Sequence, residues 1–274
     1  MRSVRAVGKD KSLAAIVTGG GSGIGFEIAK ILYLEEGQDL ILVGRNVDRL
    51  QAAKLCLEKE LLRKKPSIHI YPLDVSDLSA CITFHNKFEE SKLPLAYLIN
   101  AAGFGTIGSF LETDLEKEAC ETDTNCRGLL QMTKLFLPDL IKRKGKLLNV
   151  ASSAGYMPGS PGMAVYYATK AYVLSLTRSI QAEKEVRESK VLISALCPGP
   201  VQTDFSEKAG GLSTAGPGSI SAQACARAAV RGLKKGRHLI IPGLLMKFTY
   251  PFARILPASF LLYLARKHQE HKMK

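Results

Sequence analysis

Short apolar runs alternate with longer stretches in which apolar residues recur every three or four positions, and this rhythm holds from Leu13 to Ile241. Compact apolar runs bounded by turn residues read as buried strands, and the three-to-four-residue recurrence reads as helix. Leu13 to Thr18 is the first such run; it leads into Gly19-Gly20-Gly21-Ser22-Gly23-Ile24-Gly25 and then into Ile24, Ile28, Ile31 and Leu32 at helical spacing. Strands are expected again at Asp39 to Val43, Ile68 to Tyr71, Leu95 to Ile99, Gly145 to Ala151, Val191 to Leu196 and His238 to Ile241. Between them the pattern predicts a charged helix from Val47 to about Lys65 and another capped by Ser76 or Asp77. A long helix carrying Asn125 follows the acidic segment Glu112 to Asp123, Pro161 is placed to open a helix bearing Tyr166 and Lys170, and Ser221 to Lys234 is the last. Strands and helices in strict alternation with short connections imply one α/β domain: a doubly wound parallel sheet of about seven strands with helices on both faces.

Three segments fall outside that rhythm. Residues 1–12 form a short basic arm without the apolar stretch of a signal peptide. Residues 204–220 are rich in glycine and poor in large apolar side chains, which suggests a mobile flap of the kind that closes over a site. Residues 242–274 are apolar but interrupted by Lys247, Pro251, Arg254 and Pro257, so they predict two short amphipathic helices and not a span of ~20 uninterrupted apolar residues. Their apolar side would pack on the domain, on a second subunit or on a lipid interface, where the basic tail from Arg266 would help at an anionic surface.

Composition narrows the classes. With 274 residues, 46% of them hydrophobic, the chain can bury a sizeable core. The formal charge of +13 suits an anionic partner, yet much of it sits in clusters such as Arg63-Lys64-Lys65, Lys142-Arg143-Lys144 and Lys234-Lys235-Gly236-Arg237, which read as solvated helix ends. No aromatic-interleaved basic stripe or zinc-finger spacing points to nucleic acid. The six cysteines are scattered without a C-x-x-C pair, and with the five scattered histidines they form no metal-ligand pattern; they fit small core residues in a reducing, cytoplasmic setting.

The candidate chemistry lies at the carboxyl ends of the expected strands, where open α/β sheets bind ligands. Strand, glycine-rich turn and helix make a phosphate-binding first unit of Rossmann type, in which Gly19, Gly21, Ser22, Gly23, Ile24 and Gly25 would let a pyrophosphate approach backbone N–H groups. The second strand ends at Gly44-Arg45-Asn46. An acid there would bind a ribose 2′-OH and repel a 2′-phosphate, whereas Arg45 accommodates the phosphate and favours NADP(H) over NAD(H). Asp74 and Val75 follow the third strand, with Asp74 facing an adenine or simply closing its turn. Asn100-Ala101-Ala102-Gly103 follows the fourth, where small residues let a ligand lie against backbone. Ser152 and Ser153 follow the fifth strand, and Pro198-Gly199 stops the sixth. Tyr166 and Lys170, four apart, share a helix face. A phenol is a poor base at neutral pH, and an adjacent ammonium lowers its pKa.

With these pieces in order, the chain resembles a short-chain dehydrogenase/reductase over about Leu13 to Ile241. The resemblance rests on Thr18-Gly19-x-x-x-Gly23-x-Gly25, Asp74-Val75, Asn100-Ala101-Ala102-Gly103, the serine after the Asn149 strand, Tyr166-x-x-x-Lys170 and Pro198-Gly199. It implies a catalytic set of Asn125, Ser152, Tyr166 and Lys170, with Thr203 holding the nicotinamide carboxamide and Val201 beside it at the cofactor. Counting back from Tyr166 lands on Ser153, while counting from Asn149 or Gly155 lands on Ser152; Ser152 is taken, with the extra residue in the turn around Ser160. Two further departures are Ser22, where NADP(H)-preferring members often carry Lys or Arg, and Ala101 in place of a second asparagine.

The resemblance implies hydride transfer between nicotinamide and a ketone or secondary alcohol. Tyr166 would serve as general acid/base, Ser152 would hold the reacting oxygen, Lys170 would lower the tyrosine pKa and bind the nicotinamide ribose, and Asn125 would hold a water linking Lys170 to solvent. It also implies a homodimer or homotetramer, and the apolar C-terminal segment suggests a lipid or steroid-like substrate. The alternatives are an NAD(H)-dependent alcohol dehydrogenase of the same family and a non-catalytic NADP(H)-binding sensor or scaffold.

Overall fold

The computed structural model describes residues 13–60, 66–205, 209–210 and 218–272. The basic arm 1–12, the Arg63-Lys64-Lys65 cluster, and residues 206–208 and 211–217 of the expected flap lie outside them. The chain runs β1 (Ala14–Thr18), α1 (Gly23–Leu34), β2 (Asp39–Gly44), α2 (Val47–Glu60), β3 (Ile68–Pro72), α3 (Leu78–Glu90), β4 (Leu95–Asn100) and α4 (Leu115–Thr122). A π-helical turn (Asp123–Gly128) joins α4 to α5 (Leu129–Arg143). Then come β5 (Lys146–Val150), a 3-10 turn (Ser153–Gly155), α6 (Ala164–Ala182), α7 (Lys184–Ser189), β6 (Leu192–Leu196), β7 (Val201–Gln202) and β8 (Ile220–Ser221). Helix α8 (Ala222–Lys234), β9 (Leu239–Ile240), α9 (Leu244–Ile255) and α10 (Ala258–Lys272) complete it.

Seven strands form one sheet in the order β3-β2-β1-β4-β5-β6-β9, all parallel, the Rossmann-type doubly wound arrangement. The strand order reverses between β1 and β4, so a crevice opens at their carboxyl ends, where such sheets take ligands. Every residue of β1 is buried, because both faces are covered: Ala15 and Val17 pack under α1, α2 and α8, and Ala14 and Ile16 under α3 and α5. That is why these strands appear in the sequence as continuous apolar runs.

Asp77, one of the two expected caps, opens α3 by accepting from Ala80 N–H at 3.0 Å. Pro161 does not open the tyrosine helix. Gly162 follows it at φ +73 with its carbonyl accepting from Gly108 N–H at 3.0 Å, a turn that delays α6 to Ala164. Nor does Pro251 break the C-terminal segment: it lies inside α9 on the exposed side, where the carbonyl its ring leaves without a donor can be hydrated, and the break falls at Leu256-Pro257. The cysteines are free but not uniformly core residues, since Cys56 and Cys120 are exposed. The two ends of the 204–220 segment are pinned side by side, because β7 pairs with β8.

Candidate active site

The glycine-rich turn between β1 and α1 is folded so tightly that side chains are excluded. A Cβ on Gly25 would sit 2.4 Å from the Gly19 carbonyl oxygen, and one on Gly19 only 2.8 Å from the backbone of Ala101 and Ala102. Gly19 and Gly23 adopt φ of +67 and +57, a region open to glycine without strain. Thr18 Oγ1 accepts from the N–H groups of Ala101 and Ala102, each at 3.1 Å, and so locks the turn to the loop after β4. At the start of α1, Ser22 occupies the cap position but its side chain accepts no hydrogen bond, and the first turn holds no acid. The exposed N–H groups and the helix dipole there fit an anionic group such as a pyrophosphate. Ile24 is partly buried against the core beneath that turn, and Gly21 lies over Arg49 and Leu50 of α2.

Arg45 and Asp74, read separately from the sequence, meet. Arg45 Nη1 lies 3.7 Å from Asp74 Oδ2, and its guanidinium stands 5.9 Å from the centroid of the Phe104 ring. Asp74 spends its other oxygen on Ser76, accepting from N–H at 3.0 Å and from Oγ–H at 2.7 Å. Asp74 therefore closes its turn and steadies the arginine at the same time. Arg45 is largely exposed and Asp74 half-buried, so an anion with more than one oxygen can reach Arg45 and draw it from this partner. Val75 turns inward: its carbonyl accepts from Gln131 Nε2 at 2.6 Å, and its side chain fills the space over Gly128.

Asn100 points into the sheet. Its Nδ2 donates to Asn149 Oδ1 at 2.9 Å and to Thr133 Oγ1 at 3.0 Å, and Asn149 Nδ2 in turn donates to Thr177 Oγ1 at 3.0 Å. This buried ladder ties β4 to β5 and fixes the backbone of Ala101 to Gly103 above it. Gly103 cannot carry a Cβ, which would lie 2.7 Å from Asn125 Oδ1.

Asn125 does not face solvent, as a mid-helix asparagine ordinarily does. The π-helical turn re-aims it by the one extra residue such turns contain. Its Nδ2 donates to the Phe104 carbonyl at 2.8 Å and to Thr169 Oγ1 at 3.1 Å, and its Oδ1 accepts from Phe104 N–H at 3.1 Å. One side chain thereby joins the loop after β4 to the helix that carries the tyrosine.

The structure brings Ser152, Tyr166 and Lys170 together. Ser152 is buried just past β5, its Oγ accepting from Ala154 N–H at 3.2 Å, and its side chain lies beside the Tyr166 hydroxyl. Ser153 enters the 3-10 turn, and its N–H donates to the Pro198 carbonyl at 2.7 Å. Lys170 is buried, with Nζ donating to the Val150 carbonyl at 3.0 Å and standing 5.7 Å from the Tyr166 ring centroid. Burial pushes the Lys170 ammonium down to about 8, opposed by Cys126, Glu121 and Cys197. Tyr166 is pushed up to about 12, chiefly by desolvation, with the Ser152 hydrogen bond acting the other way. The Lys170 ammonium is directed to the Val150 carbonyl, and desolvation of the Tyr166 phenol outweighs its Ser152 contact.

Thr203 faces the glycine turn, its Cγ2 3.5 Å from where a Gly23 Cβ would stand, and its Oγ1 accepts from Phe205 N–H at 3.3 Å. Val201 is buried in β7. Gly199 lies under Met246 of α9, so the C-terminal extension covers the Pro198-Gly199 turn. Of the expected flap, Phe205 packs 5.2 Å from Tyr166, and the Ala209 carbonyl accepts from Ile107 N–H at 2.9 Å. Phe104, Thr169, Phe205 and Glu121 also line the site, and Thr18 does more than open the glycine motif. The glycine motif marks Thr18 in the sequence, but nothing local marks the other four. Residues far apart in the sequence, His85, Glu89 and Asp139, bring ligating atoms within 4.8 Å of one another. There His85 Nε2 and Asp139 Oδ2 hydrogen-bond at 3.1 Å, a tie between α3 and α5.

The glycine turn, the loop after β4 and the Ser152, Tyr166 and Lys170 side chains thus gather at the carboxyl ends of the strands, where the strand order reverses. The sequence matches the short chain dehydrogenase family model over residues 13–211, and the chain belongs to that family. It is 31% identical to oxidoreductase UcpA of Salmonella typhimurium over 202 residues, 73% of this chain and 74% of that one. An alcohol dehydrogenase from the archaeon Thermococcus sibiricus, complexed with 5-hydroxy-NADP, is 25% identical with a TM-score of 0.72, covering 86% of this chain and 98% of that one. A short chain dehydrogenase/reductase from Burkholderia phymatum in complex with NAD has a TM-score of 0.78 at 20% identity, covering 91% and 94%, and shares the fold. The chain is thus an oxidoreductase of this family.

Proposed function

We propose that the protein is an NADP(H)-dependent carbonyl reductase, or the reverse secondary-alcohol dehydrogenase, with Tyr166 as general acid/base. The observation that carries this reading is the convergence of Ser152, Tyr166 and Lys170 on one side of a crevice whose other side is the Gly19–Gly25 turn. The turn would hold the pyrophosphate, Arg45 a 2′-phosphate, and Thr203 and Lys170 the nicotinamide end. The nicotinamide, when bound, supplies or accepts the hydride.

In reduction the Tyr166 hydroxyl gives its proton to the substrate oxygen as charge develops there, while the Ser152 hydroxyl holds the same oxygen. The Tyr166 phenol is protonated at neutral pH and so has a proton to give. Lys170 places a positive charge beside the phenolate that forms, and this stabilises it. Asn125 keeps the two walls in register through Phe104 and Thr169.

Arg45 and the absence of an acid at the end of β2 support NADP(H). An NAD(H)-dependent alcohol dehydrogenase and a non-catalytic binding protein are the competing outcomes. We further propose a homo-oligomer in a reducing, cytoplasmic setting, with a hydrophobic substrate whose site is roofed by Phe205 and Met246. The test is NADPH and NADH oxidation against a panel of steroid, fatty-acyl, sugar and small aromatic ketones. The reading predicts turnover of an apolar ketone with NADPH preferred. Equal use of NADH would defeat the cofactor assignment, and no turnover of any ketone or alcohol, with cofactor bound, would make the chain a binding protein.

A further inference from the structure

Glu121, on α4, is fully buried at 0% exposure, and neither carboxyl oxygen has a hydrogen-bond partner of full geometry. Such a group is costly to bury without a purpose, since an unpaired carboxylate loses its hydration. Thr106, on the loop after β4, faces it with both its backbone and its side chain, and the Thr106 hydroxyl is itself buried without a full hydrogen bond. The charged and titratable groups around it are Lys170 and Tyr166 from α6, Cys126 from the π-helical turn, and Glu118 one turn back on α4. Glu121 stands four residues before Asn125, so α4 and the turn after it present both side chains towards the underside of the tyrosine helix.

From this placement we propose that Glu121 is a buried positioning carboxyl that sets the charge state of the Tyr166–Lys170 pair according to its own protonation. The inference rests on the reading of Tyr166 as the proton-transferring group. Ionised, Glu121 favours the ammonium of Lys170 and disfavours the phenolate of Tyr166. Neutral, it releases both. Desolvation pushes its own pKa up to about 7, opposed by Thr106 and Lys170, so the change of state falls in the neutral range. The sign for catalysis follows: alcohol oxidation needs a deprotonated Tyr166, and an ionised Glu121 holds the proton on. Removing the carboxylate must therefore move the acidic limb of the oxidation profile to lower pH.

The experiment compares the pH dependence of alcohol oxidation in the wild type, Glu121→Gln, Glu121→Leu and Tyr166→Phe, with difference infrared spectra reading the Glu121 carboxylic-acid band. Both neutral variants are expected to shift the acidic limb down by roughly half to one pH unit, as expected for loss of one nearby charge. The wild type minus Glu121→Gln spectrum should lose the acid band as pH rises through about 7. A residue that merely fills space would lower turnover at every pH without moving the limb. An unmoved limb in both variants, with Tyr166→Phe inactive, would overturn the inference alone. Activity retained in Tyr166→Phe would instead remove the reading on which it stands. Glu121→Leu covers the case in which the glutamine variant does not fold.

Discussion

Arg45 is held by Asp74 at 3.7 Å and by the face of Phe104, with no acid competing for a ribose hydroxyl at the end of β2. A 2′-phosphate offers this guanidinium more oxygens and more charge than the half-buried carboxylate does. Arg45→Ala should therefore raise the Michaelis constant for NADPH by roughly tenfold or more, the worth of a charge-assisted hydrogen bond, while that for NADH scarcely moves. Steady-state kinetics with both cofactors read this directly, and equal changes would mean that Arg45 is no phosphate ligand. Ser152 and Ser153 illustrate a different residue-scale lesson. Sequence spacing allows two counts, and the two serines differ in the fold: Ser152 lies just past β5 with its side chain towards Tyr166, while Ser153 opens the 3-10 turn.

At the scale of elements, the central strands were legible because parallel strands buried on both faces are written as unbroken apolar runs. What was not legible depended on contacts distant in sequence. The π-helical turn that aims Asn125 has no local sequence pattern, and Glu121 sits in an acidic stretch that reads as a solvated face until α6 is laid over it. The C-terminal extension was anticipated as two amphipathic helices, yet α9 is apolar on two sides. Its inner side packs through Met246 and Tyr250, the latter 5.0 Å from the Tyr156 ring and accepting from Arg178 Nη2 at 2.9 Å. Its outer side leaves Leu244, Phe248, Phe252 and Ile255 exposed at helical spacing. Residues 242–274 carry six lysines and arginines against one glutamate, which suits an anionic lipid interface. Among the described residues no helix is long and apolar enough to cross a membrane. The protein is thus expected to co-sediment with vesicles containing phosphatidylglycerol and to be released by high salt, with Phe248→Asp/Phe252→Asp abolishing the association. Failure of the wild type to bind, together with dissociation of an oligomer in the double variant by light scattering, would assign this stripe to subunit packing instead.

For the whole molecule, the sheet sets the chemistry by where its strands end. β1 delivers the glycine turn, β4 the loop read by Thr18 and Asn125, β5 the serine, and β6 the turn that Met246 covers, while α6 crosses the same rim with Tyr166 and Lys170. The basic clusters Lys142 to Lys144 and Lys234, Lys235 and Arg237 are exposed at and just beyond the ends of α5 and α8. The proposed chemistry turns on a single half-buried phenol placed between a serine and an ammonium. Tyr166→Phe deletes only the hydroxyl and leaves the ring packed against Phe205. The decisive measurement is ketone reduction by this variant alongside NADPH binding followed by cofactor fluorescence. The account predicts turnover lower by at least ~10²-fold, the scale of general acid catalysis, with cofactor affinity nearly intact; undiminished turnover would contradict it.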